Sequence, residues 1–537
     1  MTPVVKDYVL TRGPAIASMA GLEAATASIR SHLHCEAEPV SETRRRFFDS
    51  FDWRLYLAGA ALEELTRGGR RELLWQELTD RGTAAVRQVV EAEPGLAAAL
   101  PPGPVRERLE PVLGVRRLLP VATLACVSQR LRVLNDDDKT VARILLEQAR
   151  VVSDGSRGEV ALSLRLRLSG VRGYQRELER TDRRLRAQLA LEPDPAPLVL
   201  TAIAAAGRHP GSYSSKLDYR LDPQQRADAA TRTILLGLLE TLEANIEGTR
   251  CSLDPEFLHD LRVATRRTRS ALSEIKGVLP KSVVDDFKAR FSWLQRVTGP
   301  VRDLDVYLLD FPRLKSDLPA PLRDDLEPLK DWLLARCGAE QRALADALAG
   351  ERFVSLLRDW RAFLEVPPGN GAPGDAKDCA TPIKAVADKR IRRMLKRVRQ
   401  EGRAIADASP AEQLHELRKS CKKLRYLMEF FQSLYPAADI KGLVKQTKVL
   451  LDNLGGFQDL AVQAGHLRET AAAMQAEGAA PLGTLLSMGA LIGHMLEQQR
   501  GARREFARIF ADFDSEENAK VAERLFMGEK AAPQAAA

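Results

Sequence analysis

The sequence predicts a multi-domain chain: an α+β, mainly antiparallel domain, then an all-α domain built as a duplicated helical bundle with two pseudo-symmetric halves. Three observations predict it. Apolar and charged residues alternate in several early segments, as in half-wetted strands. From about Arg226 the apolar residues recur at helical spacing instead. A histidine-led basic motif is then written twice, as LHDLRVATRRTR (Leu258 to Arg269) and LHELRKSCKKLR (Leu414 to Arg425). The 537 residues are enough for two or more domains.

The first domain is expected over residues 1–200. RRFFDSFDWRLYLAGAALEEL reads as an extended segment, a turn and a second apolar segment. LLPVATLACVSQRLRVLNDDDKTVARILLEQARVV reads as two or three strands, with Asn135 to Asp138 supplying turn residues. EVALSLRLRLSG alternates apolar and basic side chains and predicts a strand with one wet face.

The second domain is expected over residues 216–515, with halves at about 216–364 and 380–515. Helical periodicity is plain in RADAATRTILLGLLETLEANIEG, FLHDLRVATRRTRSALSEIKGVL and PIKAVADKRIRRMLKRVRQEGRAIAD. Further helices are predicted at 321–349, 351–364, 441–454 and 481–512. The Pro/Gly-rich stretch 365–382 is a connector. Its Gly369, Gly371 and Gly374 match a dinucleotide-loop spacing, but no strand precedes them, so linker is the better reading. Residues 516–537 are expected to be a disordered tail.

The repeat holds in register beyond the basic motif. The offset that takes His259 to His415 also takes PVRDLDV (300–306) to GFQDLAV (456–462), matching Asp303 with Asp459. On a helix, His259, Arg262, Arg266 and Arg269 share one stripe, with Arg267 beside it, and Leu261, Thr268 and Leu272 lie opposite. The second copy places His415, Arg418, Lys422 and Arg425 on one stripe, flanked by Lys419 and Lys423. A third basic stripe, not part of the repeat, runs through Lys389, Arg392, Arg393 and Lys396, with Arg397 at its edge.

Like charges stacked on one helix face repel, and few acidic residues sit where they would relieve the repulsion along the same helix. A multivalent anion would relieve it, with arginines offering paired N–H donors to phosphate oxygens. The remaining composition is ordinary. Net charge is +8, from 81 basic and 73 acidic residues, so anion binding must come from local clustering. The six scattered cysteines form no C-x-x-C pair, which argues against structural zinc and a disulfide framework. No metal site, cofactor loop or membrane-spanning run is predicted, and the opening residues do not read as a signal peptide. A cytoplasmic protein is the expectation.

The doubled L-H-x-L-R-x-x-x-[RK]-[RK]-x-R pattern, each copy followed by a G-x-x-x-D-L segment, resembles the conserved histidine α-helical domain (CHAD) family over about residues 216–515. The resemblance implies two helical halves around a basic groove that binds inorganic polyphosphate. It places His259, Arg262, Arg266, Arg267, Arg269, His415, Arg418, Lys419, Lys422, Lys423 and Arg425 in that groove, with Asp303 and Asp459 orienting basic side chains. The N-terminal region more weakly resembles the CYTH triphosphate-tunnel family, through FFDSFDWRLYLAGAALEEL and through GYQRELE, read as a late acidic strand carrying Glu177 and Glu179. That family's opening E-x-E-x-K is missing. Glu36 and Glu38 form an E-x-E, but Pro39 follows it. Without those carboxylates there is no evident way to hold Mg²⁺ against a triphosphate.

The expectation is therefore a non-enzymatic polyphosphate-binding protein, with no cofactor and a possible association with polyphosphate granules. The alternatives are triphosphate or polyphosphate hydrolysis through the first domain, and backbone-only binding of nucleic acid. Aromatic residues make up only 5% of the chain and are not interleaved with the basic stripes, so base stacking is poorly supported.

Overall fold

The change of apolar period near Arg226 coincides with a change of architecture. In a computed structural model that describes residues 4–11, 19–79, 85–152, 159–194, 196–367 and 376–527, the chain divides into two compact units, Met1–Ser214 and Ser215–Ala537.

The first unit contains, in order, β1 (Val5–Leu10), α1 (Met19–His32), β2 (Cys35–Ala37), β3 (Ser41–Asp49), α2 (Arg54–Leu57), β4 (Ala60–Arg67), β5 (Arg70–Glu77) and β6 (Val86–Val90). There follow α3 (Pro104–Leu113), β7 (Leu119–Leu134), β8 (Thr140–Val151), β9 (Val160–Ala161), β10 (Arg165–Gly170), α4 (Gln175–Gln188), β11 (Leu191–Pro193) and α5 (Leu198–Ala205). The strands form one antiparallel sheet in the order β11-β1-β10-β8-β7-β3-β4-β5-β6, with β2 on β7 and β9 on β8.

The β7–β8 hairpin turns where the sequence says it should. Asn135 Oδ1 accepts from the N–H groups of Asp137 and Lys139 at 3.2 and 2.9 Å, and Asp138 takes φ 56°, a conformation aspartate tolerates. Alternation along β10 also has its predicted effect. Leu166 and Leu168 pack with α1 and α4 in one apolar cluster, while Arg165 and Arg167 point to the opposite, charged face. GYQRELE was expected as a strand and is instead the start of α4. Its apolar residues Leu178 and Leu185 are buried at helical, not alternating, spacing.

The second unit comprises α6 (Ala227–Ala244), α7 (Ile246–Arg250), α8 (Pro255–Glu274), α9 (Lys281–Val297), α10 (Gly299–Ser316), α11 (Glu327–Ala349) and α12 (Glu351–Glu365). The second half continues with α13 (Ile383–Arg403), α14 (Ala411–Phe431), α15 (Ala437–Ala476), α16 (Leu482–Phe513) and α17 (Glu516–Phe526). The helix starts repeat: α6, α8 and α9 begin at Ala227, Pro255 and Lys281, and the same offset gives the starts of α13, α14 and α15. One difference between the halves has a visible cause. Pro300, which lacks an N–H, stands where α9 passes into α10; the second copy has Gly456 there, and α15 runs through unbroken.

Two expectations are corrected. The helix placed at 441–454 extends over Ala437–Ala476. Residues 516–526 of the expected tail form α17, capped by Ser515 and burying Ala522, Leu525 and Phe526. Its Phe526 ring packs edge-on against Tyr435, with centroids 5.1 Å apart. Three apolar anchors at helical spacing outweigh the polar composition of the segment. The glycine pattern at Gly369, Gly371 and Gly374 lies outside the described residues.

Candidate functional site

Helix α8 starts cleanly. Asp254 accepts from the Glu256 N–H at 3.0 Å, and Pro255 occupies the first turn, where its missing N–H costs nothing. Its buried side, with Leu258, Leu261, Thr265, Thr268 and Leu272, belongs to the core. Helix α14 buries Leu414, Leu417, Cys421, Leu424 and Met428 in the same way. Burial of these stripes fixes where the basic stripes point.

The two motif helices pack on one another. Arg266 Nε donates to the Tyr426 hydroxyl at 2.9 Å. Arg267 lies 3.5 Å from Glu429, and Lys423 lies 3.0 Å from Glu274. Moving along α8 from Arg267 to Glu274 moves the partner back along α14 from Glu429 to Lys423, so the helices cross head to tail. Arg266 and Lys422, each the counterpart of the other, meet near this crossing. Lys422 is pushed down to about 8 by its burial and by the Arg418 and Arg266 charges. The stripes of both copies therefore join into one band. His259 and His415 lie towards its two ends, each roughly 15 Å along its helix from Arg269 or Arg425.

At the first end, Arg262 Nη1 donates to the Gln295 carbonyl at 2.9 Å and to Thr298 Oγ1 at 2.7 Å. Burial and the neighbouring Arg302 hold His259 below its usual range. Burial, and then Arg296, act likewise on Arg269. No carboxylate among the described residues lies within ion-pair distance of Arg262, Arg266, Arg269 or Lys422. At the second end Arg418 Nη2 donates to Asp459 at 2.8 Å. Arg425 sits 3.2 Å from Glu429, and Lys419 pairs with Glu416 at 2.5 Å.

The third stripe is solvent-facing, as its spacing predicts. Lys389, Arg392, Arg393, Lys396 and Arg397 are exposed, while Ile391, Met394 and Val398 are buried. Arg397 pairs with Glu401 at 2.6 Å, and Lys389 lies 3.6 Å from Asp378. Glu274 links this helix to the band, since it pairs with Lys423 and its charge also reaches Arg390 and Arg397.

Sequence reasoning missed two cations and most of the carboxylates. Arg302 and Arg296 stand on α10 and α9, outside the motif helices. The residue next to Arg302, Asp303, was the one singled out. The relieving carboxylates Glu274, Asp378 and Asp459 come mostly from other helices or loops, which spacing along one helix cannot reveal. The repeated D-L segment was the available signal for Asp459.

The first unit carries a separate charged cluster on the face of the sheet away from α1 and α4. Arg45 donates to Glu63 and Glu147 at 2.6 and 2.7 Å. Arg165 lies 2.8 Å from Asp194, and Arg167 lies 2.7 Å from Asp7. Glu36 is elsewhere, on β2, paired with Arg132. Glu177 and Glu179 lie on α4, whose buried carboxylate is Asp182, bonded to Lys6 at 2.6 Å and Tyr8 at 2.5 Å. Among the described residues no group of three or more His, Cys, Asp or Glu side chains could hold a metal ion, and no helix is long and apolar enough to cross a membrane.

These features define a helical repeat protein with a basic band across its two motif helices. Residues 233–468 match the family model of the CHAD domain. An uncharacterized protein of Mycobacterium tuberculosis is 28% identical over 293 residues, 51% of this chain and 53% of that protein. The chain thus spans about half the length of the curated relatives it matches. The CHAD domain from the plant Ricinus communis is similar at 25% identity and TM-score 0.46, covering 56% of this chain and 95% of that structure. A putative adenylyl cyclase from Hippeastrum, described as having a dominant triphosphatase activity, is similar at 12% identity and TM-score 0.27, covering 40% of this chain and 100% of that one.

Proposed function

We propose that the helical unit binds inorganic polyphosphate along the band formed by α8 and α14, and that it does so without catalysis. The observation that carries this reading is the meeting of Arg266 and Lys422. Two cations from the two repeats are held close together, half-buried, with no carboxylate at ion-pair distance among the described residues. Such an arrangement is costly unless an anion completes it. A linear chain with about one charge per phosphate would lie along successive arginines and displace counterions from them. Asp459, which engages Arg418, would orient that arginine rather than touch the ligand.

The first unit is read as non-catalytic. The basic side chains on its charged face already have carboxylate partners, so they offer little unbalanced charge to a triphosphate. Localisation to cytoplasmic polyphosphate granules belongs to the same proposal.

The test is equilibrium competition at near-physiological salt, with labelled long-chain polyphosphate displaced by unlabelled polyphosphate, duplex DNA or single-stranded RNA. Preferential displacement by polyphosphate supports the reading. Equal displacement by all three would reduce it to general polyanion binding.

A further inference from the structure

The band is built from two copies of one motif, but its ends are not equivalent. Shifting by the repeat offset turns Arg296 into Asp452 and Arg302 into Gln458, so two cations of the first copy become an acid and an amide. Ser273 becomes Glu429, which adds a carboxylate beside Arg425. Thr298 and Gln295 become Leu454 and Leu451.

Those last two changes alter what the shared arginine does. Arg262 is held by the Thr298 hydroxyl and the Gln295 carbonyl, both neutral acceptors, and the Asp303 charge reaches it only from beyond ion-pair distance. Arg418, with a leucine in place of the threonine, is bonded to Asp459. The aspartate exists in both copies, yet it forms the ion pair only in the second. Shielded guanidinium nitrogens without a hydrogen-bond partner among the described residues occur at both ends, Arg302 Nη1 at the first and Arg418 Nε and Arg425 Nε at the second, so the ends differ in their charges rather than in this respect. A shielded guanidinium nitrogen without a partner is expensive, and a phosphate oxygen would satisfy it.

We infer that the band is polar, and that its first-repeat end, built by His259, Arg262, Arg266, Arg296 and Arg302, is a self-sufficient subsite for a short oligophosphate. The second-repeat end engages only the continuation of a longer chain. This rests on the polyphosphate reading above and adds to it which end holds a short ligand alone. Inorganic tripolyphosphate carries several charges over a few ångströms, which suits a compact cluster. The weaker end then lets a long polymer extend without raising the affinity for its fragments.

Titration calorimetry of the full chain with inorganic tripolyphosphate, and separately with long-chain polyphosphate, tests this. The wild type should bind one tripolyphosphate. Giving the first end the second end's residues, Arg296→Asp with Arg302→Gln, should weaken tripolyphosphate binding by about tenfold or more. Lys419→Gln with Arg425→Gln should weaken it less than about threefold, while clearly weakening the long chain. Arg302→Lys should retain most of the affinity, which separates charge from packing. The reciprocal variant, Asp452→Arg with Gln458→Arg, should raise the stoichiometry towards two. Equal losses from the two double variants, or two equal sites in the wild type, would overturn the inference. Long-chain binding without tripolyphosphate binding would overturn the subsite but keep the polyphosphate reading. Failure of both ligands to bind would overturn both.

Discussion

The Tyr307 hydroxyl donates to the backbone carbonyl of Gln463 at 3.0 Å, and the two residues are counterparts, 156 positions apart. A residue can meet its own counterpart only near an axis that relates the two copies. A second place shows the same relation reciprocally: Ala227 N–H donates to the Thr381 carbonyl, and Ile383 N–H donates to the Gln225 carbonyl, both at 2.9 Å. The duplication is therefore a local two-fold arrangement, and it brings α8 and α14 together with their basic stripes joined.

Tight packing around the repeat is expected to make small residues indispensable. A Cβ on Gly402 would stand 1.9 Å from Phe510, and one on Gly248 would stand 2.2 Å from Phe257. Gly402→Ala and Gly248→Ala should each destabilise the helical unit by about 1–3 kcal/mol. Denaturant titration followed by circular dichroism reads this. Gly442→Ala, which meets nothing within 4 Å, is the control.

Lys422 should impose a pH dependence of known sign. Its folded value of about 8 lies below its ordinary 10.5. Between the two, the unfolded chain holds a proton that the folded chain lacks, so stability rises with pH across that window and this contribution is flat below it. The difference in stability between wild type and Lys422→Met, measured from pH 7 to 10.5, isolates the term. The charged groups that bear on Lys422 are Arg418, Arg266, Asp459 and Arg425. Bound polyanion favours the protonated lysine, so binding near pH 8.5 should take up protons. Calorimetry in buffers of different ionisation enthalpy measures that uptake.

His259 should act lower on the pH scale. Burial and Arg302 hold it below its ordinary value, so protonation by a bound anion has to overcome both. Affinity should gain from His259 only as pH falls below about 6.5, and His259→Ala should remove that gain. The pH response of the band thus divides between Lys422 above neutrality and His259 below it.

What the sequence made legible was whatever follows from periodicity and repetition. The stripes on α8, α13 and α14 have the burial that their spacing predicts, because a helix can bury only one face of such a pattern. What it hid depends on contacts between elements. Glu274 neutralises Lys423, and Arg302 bears on His259, through packing that no spacing along one helix encodes. GYQRELE misled because a short polar run with acidic residues fits a strand or a helix alike. Burial of Leu178 and Leu185 on one helical face decided it.

The charged face of the first unit should behave as structure. Glu147→Gln leaves Arg45 with Glu63 alone, in a site where the Glu147 side chain is 14% exposed. Breaking one partner of such a pair typically costs about 3–5 kcal/mol. The expected result is a lower melting temperature for the variant, with polyphosphate affinity at permissive temperature unchanged. A loss of affinity without a loss of stability would give this cluster a binding role.

The most direct test of the central claim is the salt dependence of long-chain polyphosphate binding in a charge-reversal pair. Arg266→Glu with Lys422→Glu places repulsion at the junction of the two stripes. Arg500→Glu with Arg508→Glu changes charge equally at positions whose side chains are 71% exposed and paired along α16. The account predicts a log–log slope reflecting several released counterions in the wild type. It predicts an affinity loss of about tenfold or more for the junction pair, with a shallower slope, and little change for the surface pair. Affinity indifferent to salt, or equal losses from both pairs, would contradict it.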